Sequence, residues 1–174
     1  RRCVKEAGKH YTVTGYDGLP KPVQAKVPVL IGGGGKRVLS ISARESDIVG
    51  INTSMHARVV GPEAFTHMTE AAVDEKVAIV RAAAGDRLAD IEMNIRAFLV
   101  NVTDDGAGAR SRLAGMLSVD ESMLLSSPFA LIGSPAELTE RLLERRERWG
   151  FSYVIVGAED VDKFAPVVAA LAGK

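Results

Sequence analysis

The sequence predicts an α/β protein built on parallel strands, and three observations carry that expectation. Segments with strand character alternate with segments of helical spacing from residue 29 onward. The first two strand segments are short and apolar throughout, as strands covered on both faces read. Four consecutive glycines, Gly32 to Gly35, follow the first strand and run into a helix opened by Lys36 and Arg37. Parallel pairing with right-handed crossovers follows from this order. A doubly wound open sheet satisfies it, and so does a (β/α)8 barrel or part of one.

Each element has its own signals. Residues 10–14 read as a short β piece ending at Gly15, and Asp17-Gly18 and Pro20-Lys21-Pro22 follow as turn and extended-loop signals. The first strand of the alternating series is residues 29–31. The helix after it spans residues 36–46, with Val38, Leu39 and Ala43 as its expected buried stripe. Residues 48–51 are the second strand, and residues 53–62 are loop-like. A helix over residues 64–84 follows, with Ala71, Ala72, Ala78, Ile79 and Ala82 at helical spacing and Gly85 as its left-handed cap. The third strand covers residues 91–100. There Asn94 and Arg96 oppose the apolar positions, which points to a barrel layer, a lumen contact or a sheet edge.

Two helical pieces come next, residues 107–116 and a second one opened by a capping box at Ser118-Val119-Asp120-Glu121 and ended by Pro128. The clearest helix has Ser134 as N-cap, Pro135 in its first position and Glu137 completing a capping box. Leu138, Leu142 and Trp149 form its inward stripe. Arg145, Arg146 and Arg148 oppose its C-terminal dipole, Gly150 ends it, and the charge run 144–148 reads as a solvated face. Residues 153–157 form the fourth strand, and a helix over residues 161–172 closes the chain.

The glycine tetrad is the most informative stretch. A turn without Cβ atoms can aim several N–H groups at one point, and a helix N-terminus favours anions. The simplest ligand is a phosphate group. Two named phosphate motifs do not fit. A P-loop needs a hydroxyl after Gly35-Lys36, where Arg37 stands, and a glycine where Leu30 stands, so nucleotide hydrolysis is not expected. A dinucleotide fingerprint needs a third glycine where Arg37 stands and an acidic residue ending the next strand, where Asn52 stands.

Composition sets outer limits. The 174 residues make room for one domain with a sizeable core. Lys plus Arg balances Asp plus Glu at 22 each, which argues against a nucleic-acid or membrane-surface partner. Cys3 is the only cysteine, so neither an internal disulfide nor a cysteine metal site is expected, and the chain suits a reducing compartment such as the cytoplasm. No apolar run spans a bilayer and no signal peptide is visible. The chain opens with Arg1-Arg2-Cys3 rather than Met, as a fragment of a longer protein does. His10, His56 and His67 lack metal-ligand spacing. His56, beside Arg58, reads as a loop histidine within reach of a phosphate tail. Asp104-Asp105-Gly106 reads as a turn and helix start, and Trp149 and Phe151 read as core.

Several stretches carry a resemblance. Pro28-Val29-Leu30-Ile31-Gly32-Gly33-Gly34-Gly35 with its helix, and Asp47-Ile48-Val49-Gly50-Ile51-Asn52, resemble the second half of the luciferase-like monooxygenases, and more closely the oxidoreductases that use the deazaflavin coenzyme F420. Pro20-Lys21-Pro22-Val23-Gln24, Ala84-Gly85-Asp86-Arg87, Leu131-Ile132-Gly133-Ser134-Pro135 and Gly150-Phe151-Ser152-Tyr153 are similar to family segments in the same order. The resemblance runs from His10 to Gly173. It implies a (β/α)8 TIM barrel of which residues 1–174 are the C-terminal portion, supplying strands five to eight. It implies that Gly33, Gly34, Gly35, Lys36 and Arg37 contact the cofactor phosphate, with Asn52 at the strand mouth near cofactor or substrate. The implied chemistry is hydride transfer between a small organic substrate and F420, or FMN as the alternative cofactor of a monooxygenase. The residues that cover the ring and bind substrate belong to the first barrel half, so no catalytic acid or base is assigned. A non-catalytic barrel half serving binding or assembly is the other reading. A half barrel leaves an apolar sheet face and two edges unpaired, so it is expected to pair with another copy or with its missing half.

Overall fold

The computed structural model describes residues 4–54 and 65–173. The expectations placed on Cys3, His56, Arg58 and the helix start at residue 64 lie outside the described residues.

The alternation of strands and helices is present. An antiparallel hairpin comes first, β1 (Val4–Ala7) and β2 (Thr12–Tyr16), the second strand running through Gly15 instead of ending there. Then follow β3 (Leu30–Gly33), α1 (Lys36–Glu45), β4 (Ile48–Ile51), α2 (Glu70–Ala84) and a 3-10 turn (Gly85–Asp90). The remainder is β5 (Glu92–Arg96), β6 (Leu99–Val102), α3 (Gly106–Leu117), α4 (Glu121–Ser126), β7 (Ala130–Gly133), α5 (Pro135–Trp149), β8 (Phe151–Ile155), a second 3-10 turn (Ala158–Asp160) and α6 (Val161–Leu171).

The main sheet has the order β3-β4-β5-β8, all parallel. Its strands follow one another in chain order with no reversal, and reversal is what a doubly wound sheet requires. The helices also lie on one side. Val49, Ile51, Met93 and Ile95 pack with Leu39 and Ala43 of α1 and Val73, Val77 and Val80 of α2. Val154 joins that cluster and a second one built from Leu138 and Leu142 of α5 and Phe164 and Val167 of α6. The strands are therefore not covered on both faces, as their apolar sequences suggested. On the opposite face Leu30, Glu92, Arg96 and Tyr153 are exposed. Each fully buried Leu, Val or Phe, such as Leu39, Val73 and Phe129, contributes about 1.5–3 kcal/mol.

Other expectations are corrected by packing. The third strand is two strands. At Ala97 the chain donates to Ile155 of β8, and at Phe98 it donates to Phe129, so pairing passes from the main sheet to β7. That second partner, β7, is a strand absent from the sequence reading. It pairs with β6 in parallel, from Leu99–Ala130 to Val102–Gly133. Ser118 does not cap α4. It takes a left-handed conformation that closes α3, and Asp120 caps α4 through the Ser122 amide at 2.7 Å. On α2 the inward side is Val73, Lys76, Val77, Val80 and Ala84 rather than the alanine series. On α1, Ser42 replaces Val38 in the buried stripe, and its Oγ donates to Ile31 O at 2.8 Å.

Arg145 is likewise not part of a solvated face. It is buried and donates to the carbonyls of Ser127, Pro128 and Ala130. A guanidinium fork can serve three oxygens of one turn, which offsets part of the cost of burying it. The capping box at Ser134 and Glu137, the left-handed Gly150 and the Asp105 cap on α3 stand as read. Gly85 has φ 54° and donates to Arg81 O, so its glycine is required, though its ψ of −131° lies outside the helical left-handed region.

Candidate functional site

Parallel neighbours end on the same side, so the bend after β3 and the loop after β4 meet at the carboxyl end of the sheet. Gly33 is in register with Ile51, and Asn52 N donates to Gly33 O at 2.9 Å. Ser54 Oγ donates to Gly34 O, also at 2.9 Å. These bonds fix the bend against the β4 loop.

The glycines of the bend do different jobs. A Cβ on Gly34 would stand 2.5 Å from the Thr53 carbonyl carbon and 2.7 Å from Asn52 O, both backbone atoms. No side chain fits there, so Gly34 is demanded by the crossing of two loops. A Cβ on Gly33 would meet Val38 Cγ1 at 2.5 Å, so Val38 packs directly over this glycine. Gly35 is different. Among the described residues nothing lies within 4 Å of its Cβ position, and as N-cap of α1 it offers no side-chain hydrogen bond.

Among the described residues no N-cap side chain accepts from the first turn of α1, and no acidic residue occupies that turn. Lys36 and Arg37 are exposed and have no ion-pair partner among the described residues. Backbone dipole and two cations add at one helix end. The other end of α1 is tied down. Arg87 donates to Ala43 O at 2.6 Å and to Ser46 O at 2.9 Å, while Ser42 and Ser46 hydroxyls link at 2.9 Å. At the amino end of β4, Lys26 and the Val29 amide hold the Asp47 carboxyl below the usual carboxylate range. The amino ends of β3 and β4 are thereby pinned.

Asn52 stands at the mouth of β4, half-buried, and its Oδ1 accepts from Thr53 N at 2.8 Å. That bond is the loop-capping role of an amide. The structure thus brings Gly33, Gly34, Gly35, Lys36, Arg37 and Asn52 together at one sheet end, with the open approach at Gly35, Lys36 and Arg37. Sequence reading missed Ser54, whose signal was a lone hydroxyl two residues beyond Asn52. It also missed the alignment of Gly32, Gly50, Asn94 and Tyr153 in one row across the bare face.

Fold and geometry define a parallel α/β protein whose candidate site lies at the carboxyl ends of its strands, where open α/β sheets hold their ligands. The chain belongs to the luciferase-like monooxygenase family, whose sequence profile matches residues 1–153. Among curated protein sequences none matches the chain. Solved structures of low identity share its fold. A monooxygenase from Streptomyces bottropensis is 17 % identical with a TM-score of 0.61, covering 99 % of this chain and 55 % of its own. The coenzyme F420-dependent tetrahydromethanopterin reductase from Methanopyrus kandleri is 13 % identical with a TM-score of 0.63, over 97 % of this chain and 56 % of its own. A riboflavin lyase solved with modified FMN and riboflavin is 10 % identical with a TM-score of 0.56, over 97 % and 48 %. The chain spans about half the length of these relatives.

Proposed function

We propose that this chain is the phosphate-holding portion of a luciferase-like oxidoreductase that transfers hydride between coenzyme F420 and a small organic substrate. The observation that carries the reading is the uncapped start of α1. Its open amides, Lys36 and Arg37 meet at a position that no side chain of the bend blocks. The residues present fit a phosphate monoester or diester. The amides of Lys36 and Arg37 would donate to its oxygens, with Arg37 offering a planar fork and Lys36 a point charge. Each charge-assisted hydrogen bond contributes about 1.5–3 kcal/mol where water is excluded. When bound, the coenzyme supplies the two-electron chemistry, and the chain supplies grip and orientation.

FMN is the second reading, since it carries the same phosphate, and a relative of this fold was solved with modified FMN. The sheet order, the bare face and the half-length match support a further part of the reading: the chain forms strands five to eight of a (β/α)8 barrel. It is completed by the remaining half or by association with another copy.

Titration with F420, FMN and riboflavin tests the phosphate grip. FMN or F420 should bind at least about tenfold more tightly than the phosphate-free riboflavin, with an advantage that shrinks as salt rises. Equal affinity for FMN and riboflavin, with F420 no tighter, would sink the reading.

A further inference from the structure

We infer that the cleft between β6 and α3 binds an organic acid with a flat apolar body, whose carboxylate is held by Arg96. That this acid is the substrate rests on the coenzyme reading above; its binding rests on the cleft alone.

The cleft has a volume of about 430 Å³, within the range of small-molecule pockets. One wall is a face of α3, where Ala109, Arg112, Leu113 and Met116 recur at helical spacing. From Ala109 to Met116 the helix rises about 10 Å, which sets the length of the body that fits. The other wall is β6, with Phe98 just before it. Met116 is 82 % exposed and Phe98 44 %, although both line the cleft. An uncovered thioether and an uncovered ring favour an aromatic guest.

Two arginines stand at this cleft, and their partners separate them. Arg112 is engaged by Asp105, both of its terminal nitrogens lying 3.3 Å from Oδ2. Arg96 is exposed and makes no hydrogen bond or ion pair among the described residues. Its guanidinium carbon is 5.5 Å from the centre of the Phe98 ring. Phe98 in turn stacks on the buried Phe129, with centroids 5.9 Å apart and planes 19° from parallel. The aromatic contact steadies the guanidinium and leaves its N–H fork without an acceptor. Such a fork matches a carboxylate through two parallel hydrogen bonds. An acid that lies in the cleft and extends past Phe98 delivers its carboxylate there. Arg96 also ends β5 at the carboxyl end of the sheet, two strands from β3 and about 10 Å across from it. Acid and coenzyme phosphate would therefore approach from the same end.

The test titrates the full chain with naphthoate and with its uncharged amide, naphthamide, and follows the methionine methyl resonances by NMR. The chain has five methionines, and Met116→Leu assigns the signal at the cleft. Naphthoate should shift the Met116 methyl and bind at least about fivefold more tightly than naphthamide. Arg96→Gln should lower naphthoate affinity at least about fivefold and leave naphthamide within about twofold. Arg112→Gln should keep the preference for the acid. An unmoved Met116 methyl, equal affinity for acid and amide, or naphthoate binding indifferent to Arg96→Gln overturns the proposal. Loss of the preference in Arg112→Gln overturns it too. FMN titrated into the same samples separates the two readings. If naphthoate needs Arg96 while FMN fails to bind, the cleft stands and the coenzyme reading falls. If FMN responds to Lys36→Ala while naphthoate fails to bind, the coenzyme reading stands and the cleft falls.

Discussion

Alanine at Gly34 and alanine at Gly32 are the same chemical change two residues apart, and the structure assigns them opposite signs. At Gly34 the new Cβ would overlap the Thr53 carbonyl carbon and oxygen at 2.5 Å and Asn52 O at 2.7 Å. Non-bonded carbon contacts settle near 3.5–4.0 Å, so the two loops must separate by about 1 Å. That movement strains the Asn52–Gly33 and Ser54–Gly34 hydrogen bonds. Overpacking of this kind costs about 1–3 kcal/mol. At Gly32 the nearest atom is 3.8 Å away and φ is not positive, so alanine only stiffens the unfolded chain, raising stability by up to about 1 kcal/mol. Urea unfolding followed by Trp149, the single tryptophan and 4 % exposed, reads both changes. With a slope of about 2 kcal/mol per molar, Gly34→Ala lowers the midpoint by about 0.5–1.5 M and Gly32→Ala does not lower it. Equal midpoints for the two variants, or a larger loss at Gly32, would refute the division of roles drawn between these glycines.

Three further outcomes are expected. Arg145→Met leaves the Ser127, Pro128 and Ala130 carbonyls without their donor and should cost about 3 kcal/mol or more by thermal unfolding, with Arg145→Lys a poor rescue because an ammonium lacks the fork. Burial pushes the Lys76 ammonium from its usual 10.5 down to about 8, where it donates to His67 O. The unfolded chain therefore holds a proton that the folded chain has lost between pH 8 and 10.5. Stability attributable to this residue rises across that window as pH rises, and Lys76→Met should flatten that rise in pH-dependent urea melts. Lys36→Ala and Arg37→Ala should each weaken FMN or F420 binding by about 10-fold at low salt and by less at high salt, with unfolding midpoints unchanged; unaltered titrations would count against a phosphate at α1.

Periodicity and caps were legible where local chemistry decided the outcome. Ser134, Pro135, Glu137 and Gly150 bounded α5 because capping uses residues only three or four apart. The parallel order could be read from the alternation of elements. Contacts distant in sequence were not legible. Arg145 looked like one more cation in a charged run until the turn at Ser127–Ala130 was placed beside it. The short strand β7 has only four residues and gains its identity from pairing with β6. At the site, the tetrad announced a bend, but four identical residues in a row do not show which one serves packing and which faces solvent. Asn94 was marked as odd on its strand, and only the pairing with β8 supplied the Tyr153 carbonyl to which its amide donates.

Where Gly34 is fixed by two crossing loops and Gly35 meets no described atom, architecture and chemistry can be altered independently. Gly34 can be left untouched as a fixed joint. Positions 35 to 37 then become adjustable ground, open to substitution without rebuilding the sheet beneath them.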